Sequence, residues 1–208
     1  MARPPSDTPK AADRILATAG ELFYREGARA VGVDQIVERA QSTKPSLYRA
    51  FGSKDQLIAA YLEGQGQQMW SNFDAAVAAH PDDPKAQILA YVDALGDRAL
   101  GKGSRGCGLT NAVVEYPDPK HPGHRVAVGH KDRLRSRLRD LTRAMDARKP
   151  KKLADSLLLL IEGVFVTSQL FGPDGPAGAA RGAAEALIEA HTRKAPKAAN
   201  DPPGHDRV

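Results

Sequence analysis

The sequence has few of the features that mark secreted or membrane proteins. Its 208 residues include a single cysteine, Cys107, so no disulfide can form within the chain and a reducing compartment is indicated. The apolar run Leu157 to Ile161 is far too short to span a bilayer, and no signal-peptide core precedes the first predicted helix. We therefore expect a cytoplasmic protein with no membrane partner.

Alternating apolar and polar residues, which indicate β-strands, are almost absent, whereas apolar residues recur at helical spacing through most of the chain. This pattern predicts an all-α fold of about nine helices. The length of the chain allows a head over residues 9–52 and a larger body over residues 53–194. The ends, residues 1–8 and 195–208, are rich in proline and polar residues, and we expect them to be disordered.

Two short helices joined by a tight turn are predicted between Val33 and Phe51. The first carries an apolar stripe formed by Val33, Ile36, Val37 and Ala40. Thr43 can cap the second helix, and Pro45 lies in its first turn, where a missing N–H costs little. A preceding helix with an apolar stripe over residues 15–23 supplies the third element of a DNA-reading head. Without that context, the two helices could equally belong to an ordinary helical core.

In a helix-turn-helix, the second helix enters the major groove with its N-terminal residues nearest the base edges. The exposed residues suit this task, because the hydroxyls of Thr43 and Ser46 and the cations of Lys44 and Arg49 can contact bases or phosphates. Tyr48 is expected to point outward, where its phenol can donate to a phosphate. These residues predict double-stranded DNA as a partner.

A further helix is predicted to begin directly after the second short helix. Ser53 and Gln56 have the spacing of a capping box, in which each side chain binds the other residue's backbone N–H. Lys54 stands in the first turn of this helix, and helix N-termini attract phosphate. We therefore expect Lys54 to contact the DNA backbone.

Residues 10–62 resemble the N-terminal domain of the TetR family of one-component transcriptional regulators. The resemblance rests on four linked motifs, ILATAGELFYREG, IVERA, TKPSLYRAF and FGSKDQL. It implies a repressor in most cases, a phosphate contact for Lys54, and a DNA-reading role for Thr43, Lys44, Pro45, Ser46, Tyr48 and Arg49.

Three positions depart from the family's pattern. Gln41 stands where the turn usually has glycine, Ser42 stands where an apolar residue is usual, and Gly32 replaces the usual serine or threonine cap. A left-handed turn residue is cheapest as glycine, so Gln41 predicts a strained or reshaped turn.

The last two predicted helices, 151–171 and 177–192, are apolar on more sides than one buried face requires. A second subunit is the expected cover, and the resemblance implies the same, since family members pair these helices in a two-fold four-helix interface. A fully intramolecular core is the alternative. The expected interface residues are Leu157, Leu160, Ile161, Val164, Ala183 and Leu187.

A symmetric dimer places two recognition helices about one DNA turn, or a multiple of it, apart, so a near-palindromic operator is expected. A small molecule bound in the body could tilt the heads and release DNA. The candidate ligand contacts are Met69, Trp70, Phe73, Asn111, Glu115 and Phe165. For the aromatic residues an ordinary core role is the favoured alternative, so Asn111 and Glu115 are the stronger candidates. Asn111 and Glu115 share one helix face, and an unpaired buried amide or carboxylate is costly.

Two apparent cofactor motifs fail on context. The GxGxxG pattern at residues 101–106 follows a predicted helix rather than a strand, so we interpret it as an interhelical loop. His121, His124, His130 and Cys107 lack the paired cysteines that would support a metal site. Neither a cofactor nor a metal is therefore expected.

The chain is basic, with a formal charge of +5, and the segment 120–152 alone carries +9. The segment 120–152 places Arg135, Arg139 and Arg143 on one helix face. We interpret this face as solvated, with binding of an acidic ligand such as a coenzyme A thioester as the alternative.

A second class of function is a small helical enzyme that uses Cys107 as its nucleophile. The sequence offers no signature for the base or the oxyanion site that such an enzyme needs, which favours a regulator without catalysis.

Overall fold

The computed structural model describes residues 10–192, and the predicted disordered segments 1–8 and 195–208 lie outside this range. Within it the chain forms nine α-helices and no strand, which confirms the predicted all-α fold. The helices are α1 (Ala11–Glu26), α2 (Val33–Arg39), α3 (Lys44–Phe51), α4 (Lys54–Ala78), α5 (Pro84–Leu100), α6 (Gly108–Glu115), α7 (Pro122–Ala144), α8 (Pro150–Phe171) and α9 (Ala180–Thr192). Two short 3-10 helices, Gly172–Asp174 and Pro176–Ala179, connect α8 to α9.

The head consists of α1, α2 and α3, which pack around one small apolar core. Ile15, Ile36 and Leu47 contribute one fully buried side chain from each helix. Burying such a side chain stabilises the fold by about 1.5–3 kcal/mol, so these three side chains help hold the helices of the head together. α4 then runs from the head into the body, where it packs on α5 and α7.

The turn between α2 and α3 tolerates its unusual sequence. Gln41 adopts a left-handed conformation with a φ of 47°, as predicted for the position that usually carries glycine. Its N–H donates to the Glu38 carbonyl at 3.1 Å and the Ser42 N–H donates to the Val37 carbonyl at 2.8 Å, the pattern of a Schellman motif. The Arg14 guanidinium donates to the carbonyls of Ala40 and Gln41, both at 3.3 Å. The turn is therefore ordinary in shape, although a non-glycine residue there costs about 1–2 kcal/mol.

The basic face of α7 is not simply solvated, which corrects that prediction. Arg135 and Arg139 both bind the Asp155 carboxylate on α8, at 2.7 and 3.0 Å. The Arg133 guanidinium lies 4.1 Å from the centre of the Trp70 ring, a cation–π contact with α4. These arginines therefore tie α7 to its neighbours.

The segment Pro150–Asp174 is long and apolar enough to cross a membrane by length and composition, with a mean hydropathy of 1.5. It is much longer than the apolar run considered in the sequence. In the structure α8 packs against α5, α7 and α9, and 39% of its apolar window is buried. Core helices of soluble proteins pass the same test, so this is weak evidence for a membrane span.

Three of the six residues predicted for the dimer interface are buried on α8, so the prediction is wrong for them. Leu157, Ile161 and Val164 are 0–3% exposed, so they belong to the core of their own subunit. The other predicted interface residues are half-buried, namely Leu160, Ala183 and Leu187. The exposed apolar residues of α8 are Leu159, Val166, Leu170 and Phe171.

Candidate nucleic-acid interface and interior cavity

α3 presents its N-terminal turn to solvent. The Thr43 hydroxyl caps the helix by accepting from the Ser46 N–H at 3.3 Å, as predicted, and it lies 3.0 Å from the Ser46 hydroxyl. Leu47 is fully buried in the head, whereas Tyr48 is 47% exposed and Arg49 is also exposed. Because Leu47 fixes the rotation of α3, the hydroxyls, the phenol and the Arg49 guanidinium are all accessible from outside.

Lys44 is held by α2 rather than standing free. Its ammonium lies 2.7 Å from the carboxylate of Asp34, and both side chains are well exposed. The hydrogen bond to Asp34 raises the pKa of Lys44 above its ordinary value. Any contact between Lys44 and DNA must therefore share the ammonium with Asp34.

Lys54 is turned toward the loop between α1 and α2. Its ammonium donates to the Arg29 carbonyl at 3.4 Å, and burial lowers the pKa of Lys54. Ser53 accepts from the Gln56 N–H at 3.1 Å, which confirms the Ser53 half of the predicted capping box at the start of α4. A phosphate contact by Lys54 stays a prediction, and the bond to the Arg29 carbonyl uses only one of the three donors of its ammonium.

An interior cavity of about 20 Å³ lies in the body, between α4, α5, α7 and α8 and beside the start of α6. This volume holds about one water molecule. Two predicted ligand residues, Met69 and Phe165, lie in its wall. The full lining is Gln65, Met69, Asn72, Tyr91, Leu95, Arg98, Cys107, Gly108, Leu109, Lys131, Leu134, Ile161 and Phe165.

Trp70 and Phe73 do not line this cavity and serve the core instead. The Trp70 indole N–H donates to Nδ1 of His130 at 3.0 Å. Phe73 packs edge-to-face on Tyr91 with ring centres 4.9 Å apart. The alternative core reading is thus correct for both aromatic residues, whose apolar surface already has protein partners.

Asn111 and Glu115 line a separate pocket of about 220 Å³ between α1 and α6. Both side chains are hydrogen-bonded within the protein, so the expectation of an unpaired amide or carboxylate is wrong. The Asn111 amide donates to the Arg105 carbonyl at 2.9 Å. The Glu115 carboxylate accepts from the Arg29 backbone N–H at 2.7 Å, and the Arg29 guanidinium donates to the Glu115 carbonyl at 3.3 Å. Glu115 therefore joins α6 to the head.

A second contact between head and body involves the loop before α6. The Tyr24 hydroxyl of α1 donates to the Gly106 carbonyl at 3.2 Å and accepts from the Arg105 N–H at 2.8 Å. The Arg105 guanidinium also donates to the carbonyl of Arg25. The next residues, Cys107 and Gly108, line the cavity. One short segment thus contacts both the cavity and the head, and the GxGxxG pattern at 101–106 is part of this interhelical loop.

The cavity contains functional groups that the sequence patterns did not reveal, above all Lys131 and Arg98. The Lys131 side chain is only 19% exposed and lies 2.5 Å from the Glu162 carboxylate. Burial lowers the pKa of Lys131, but Cys107 and Glu162 together raise it above its ordinary value, so the ammonium stays charged. Burial also raises the pKa of the Tyr91 phenol, which stays protonated. Only the packing of four helices brings these groups together.

Between residues 10 and 192, no three histidine, cysteine or acidic side chains cluster closely enough to hold a metal ion. The residues that line the cavity around Cys107 include no histidine that could act as a base for a thiol nucleophile.

An all-helical body that carries an exposed helix-turn-helix defines a DNA-binding transcriptional regulator. The family model described as "Bacterial regulatory proteins, tetR family" matches residues 15–61. The structure of SCO4454, a TetR-family transcriptional regulator from Streptomyces coelicolor, is similar with a TM-score of 0.83 and 32% identity. The match covers 88% of this chain and 96% of that one. The chain therefore belongs to the TetR family, and the predicted resemblance is confirmed.

Two curated proteins of Mycolicibacterium smegmatis are similar over the N-terminal part. The transcriptional activator FasR is 33% identical over 84 residues, which is 40% of this chain and 38% of FasR. The transcriptional regulator EthR is 33% identical over 92 residues, 44% of this chain and 42% of EthR. This chain thus matches about two fifths of the length of each.

Proposed function

We propose that the protein is a dimeric, ligand-responsive repressor that acts in the cytoplasm. In this proposal the head, residues 9–52, binds a near-palindromic DNA operator, and the body, residues 53–194, holds the dimer interface and a small-molecule cavity. The observation that carries the proposal is the presentation of α3, whose fully buried Leu47 leaves Tyr48 and Arg49 exposed on a single surface. A helix held in this way can enter a major groove without rearrangement of the head.

The exposed faces of α8 and α9 support a dimer. On α8, Leu159, Val166 and Leu170 form one stripe, and three of the four exposed apolar residues of this helix are 60% exposed or more. On α9, Gly182, Ala186 and Ala190 are exposed small residues at spacings of four, which let a partner helix approach closely. The apolar stripe of α8 and the stripe of small residues on α9 together suit a two-fold four-helix interface.

The contacts around α6 support control by a ligand. Cys107, Gly108 and Leu109 line the cavity, while Arg105 and Glu115, on either side of them, bind the head. A ligand that widens the cavity by displacing this segment or α4 changes the orientation of the head, because both connect to it. Such a ligand binds the displaced state better, and it therefore shifts the population away from the DNA-binding state.

Selection of bound fragments from genomic DNA, followed by titration of the enriched duplex, tests the proposal. We expect salt-sensitive binding of one dimer to a near-palindromic site and repression of a reporter gene placed behind it. Arg49→Ala and Ser46→Ala should change the sequence preference, whereas Tyr48→Phe should weaken binding to every duplex about equally. Lys102→Ala, which removes a charge from the exposed loop after α5, is the matched control.

Several results would contradict the proposal. Absence of salt-sensitive affinity for any duplex would exclude the DNA-binding role of α3. Activation of the reporter would replace the repressor by an activator, the role that the name of FasR gives to that relative. Equal losses at the selected and the scrambled duplex for every variant would reject the separate roles of Arg49 and Tyr48.

A further inference from the structure

The charges around the interior cavity indicate the chemistry of its ligand. The thirteen lining residues include two cations, Arg98 and Lys131, and no carboxylate. The remaining polar groups are the amides of Gln65 and Asn72, the Tyr91 phenol and the Cys107 thiol. A cationic ligand would be repelled here, and a neutral ligand would leave Arg98 without a counter-charge, whereas Lys131 already has one in Glu162.

Arg98 is the cation available to a ligand. Its side chain is half-buried, and no carboxylate in the described range 10–192 pairs with its guanidinium. Burial raises the pKa of the Tyr61 and Tyr91 phenols, and the charge of the nearby Arg98 guanidinium opposes part of that rise. The guanidinium has five N–H donors in a planar fork, which matches the two oxygens of a carboxylate.

Lys131 contributes a second positive charge to the wall of the cavity. Glu162 occupies one direction of its ammonium, and the Thr110 hydroxyl donates to the second oxygen of Glu162 at 2.7 Å, which fixes the carboxylate. An ammonium has three donors, so Lys131 can bind an incoming oxyanion without leaving Glu162.

The rest of the wall is apolar. Aliphatic and aromatic side chains from five helices complete it, namely Met69, Leu95, Leu109, Leu134, Ile161 and Phe165. A wall of this kind binds the hydrocarbon part of a ligand, and the few polar groups fix its orientation.

We propose that the effector is an organic acid, a molecule with an apolar body and one oxyanion head that Arg98 and Lys131 bind. This inference rests on the proposed ligand response, because it names the ligand class of the same cavity. The cavity of about 20 Å³ is far smaller than an organic acid, so binding must separate the surrounding helices. Separation at the start of α6 moves Cys107 and Gly108, which continue into the contacts with the head.

The chain contains one cysteine and one tryptophan, which makes the test specific. Cys107 lines the cavity, so its alkylation by iodoacetamide reports occupancy, and Trp70 is adjacent to the lining residue Met69, so its emission reports the same event. Octanoate, octyl phosphate, octanol and octylamine are titrated into the full-length protein below their micellar concentrations. 3-Phenylpropanoate is added as an acid with an aromatic body.

We expect at least one carboxylate to bind about tenfold or more tightly than octanol and octylamine, and to slow the alkylation of Cys107. Arg98→Gln should remove most of this advantage, Arg98→Lys should keep part of it, and Lys102→Gln should change nothing. Octyl phosphate distinguishes the head groups, because tighter binding of octyl phosphate than of octanoate assigns the site to a phosphate ester with the same cations.

Failure to bind any of the three anions, equal binding of octanol or octylamine, or unchanged binding by Arg98→Gln would each overturn the assignment. These outcomes are separable from failure of the repressor proposal. Binding of DNA without binding of any anion removes only the organic acid, and binding of octanoate without binding of DNA removes only the repressor.

Discussion

His130 of α7 packs its imidazole directly over Gly66 of α4, so closely that a Cβ at Gly66 would overlap the ring. The ring is fixed from both sides, because Trp70 donates to Nδ1 at 3.0 Å and Nε2 lies 3.2 Å from the Glu63 carboxylate. This geometry makes Nε2 the protonated nitrogen of the neutral ring. The absence of a side chain at Gly66 therefore leaves the space that the His130 imidazole occupies between α4 and α7.

Gly66→Ala should destabilise the protein by about 1–3 kcal/mol, because overpacking forces α4 and α7 apart. Gly64→Ala is the matched control, since nothing lies within 4 Å of a Cβ at Gly64. That change should stabilise the helix by about 0.5–1 kcal/mol. Urea unfolding followed by circular dichroism measures both. Equal shifts would show that the imidazole does not press on Gly66, and Gly66→Ala combined with His130→Ala should lose less than the two single losses together.

Glu115→Ala should loosen the head at the turn between α1 and α2. The carboxylate accepts from the Arg29 N–H at 2.7 Å, and hydrogen bonds to charged groups protect an amide strongly. We expect hydrogen exchange of the Arg29 amide to accelerate about tenfold or more, with a smaller change in Glu115→Gln, which keeps an acceptor. Exchange that does not respond to Glu115→Ala would mean that α6 does not hold the head through this bond.

Asp34→Asn should strengthen DNA binding. The Asp34 carboxylate lies 2.7 Å from the Lys44 ammonium, so the change releases a cation on the recognition helix and removes an anion beside it. We expect about three- to tenfold higher affinity at moderate salt and a salt dependence steeper by about one charge, measured by fluorescence anisotropy. Glu38→Gln removes the same charge from α2 without contacting Lys44. If it gives the same gain, the ion pair has no special role.

Leu159→Asp should convert the proposed dimer into monomers. Leu159 is 75% exposed on the apolar stripe of α8, and Val114, which is 77% exposed on α6, provides the matched control. A carboxylate buried in a two-fold interface meets its own copy, so the dissociation constant should rise about 100-fold or more. Sedimentation equilibrium measures it. Dimers that resist Leu159→Asp but dissociate with Val114→Asp would place the interface on α6.

The ion pairs of Asp155 on α8 with Arg135 and Arg139 on α7 make the stability of the fold depend on pH in the acid range. Its hydrogen bonds with Arg135, and further with Arg139, hold the pKa of Asp155 at about 2, below the ordinary value of 3.8. Because the folded pKa is lowered, the carboxylate stabilises the fold above about pH 4, and the contribution disappears as the pH falls toward 2. Asp155→Asn should thus lower the free energy of unfolding at pH 6, and the difference from the parent protein should shrink below pH 4. Asp140→Asn, which breaks only an exposed pair with Arg143, should show no such convergence.

The head could be predicted almost completely from the sequence. Thr43 caps α3, Leu47 is buried and Gln41 adopts a left-handed turn, because capping, apolar spacing and turn chemistry act over a few residues. The body was predicted less well. Leu157 and Ile161 were assigned to the interface and Trp70 to a ligand, yet all three are core residues, since periodicity shows that a side chain is covered but not by which helix.

Interactions between residues close together in the sequence, such as helix capping and apolar periodicity, determined the nine helices of the described range and the outward face of α3. Long-range packing alone decided the rest. It placed Arg98 of α5 and Lys131 of α7 around one cavity, set Glu115 against Arg29 and pressed His130 onto Gly66. Each of these pairs is separated by more than thirty residues of chain, so its partners meet only when whole helices bury their apolar faces together.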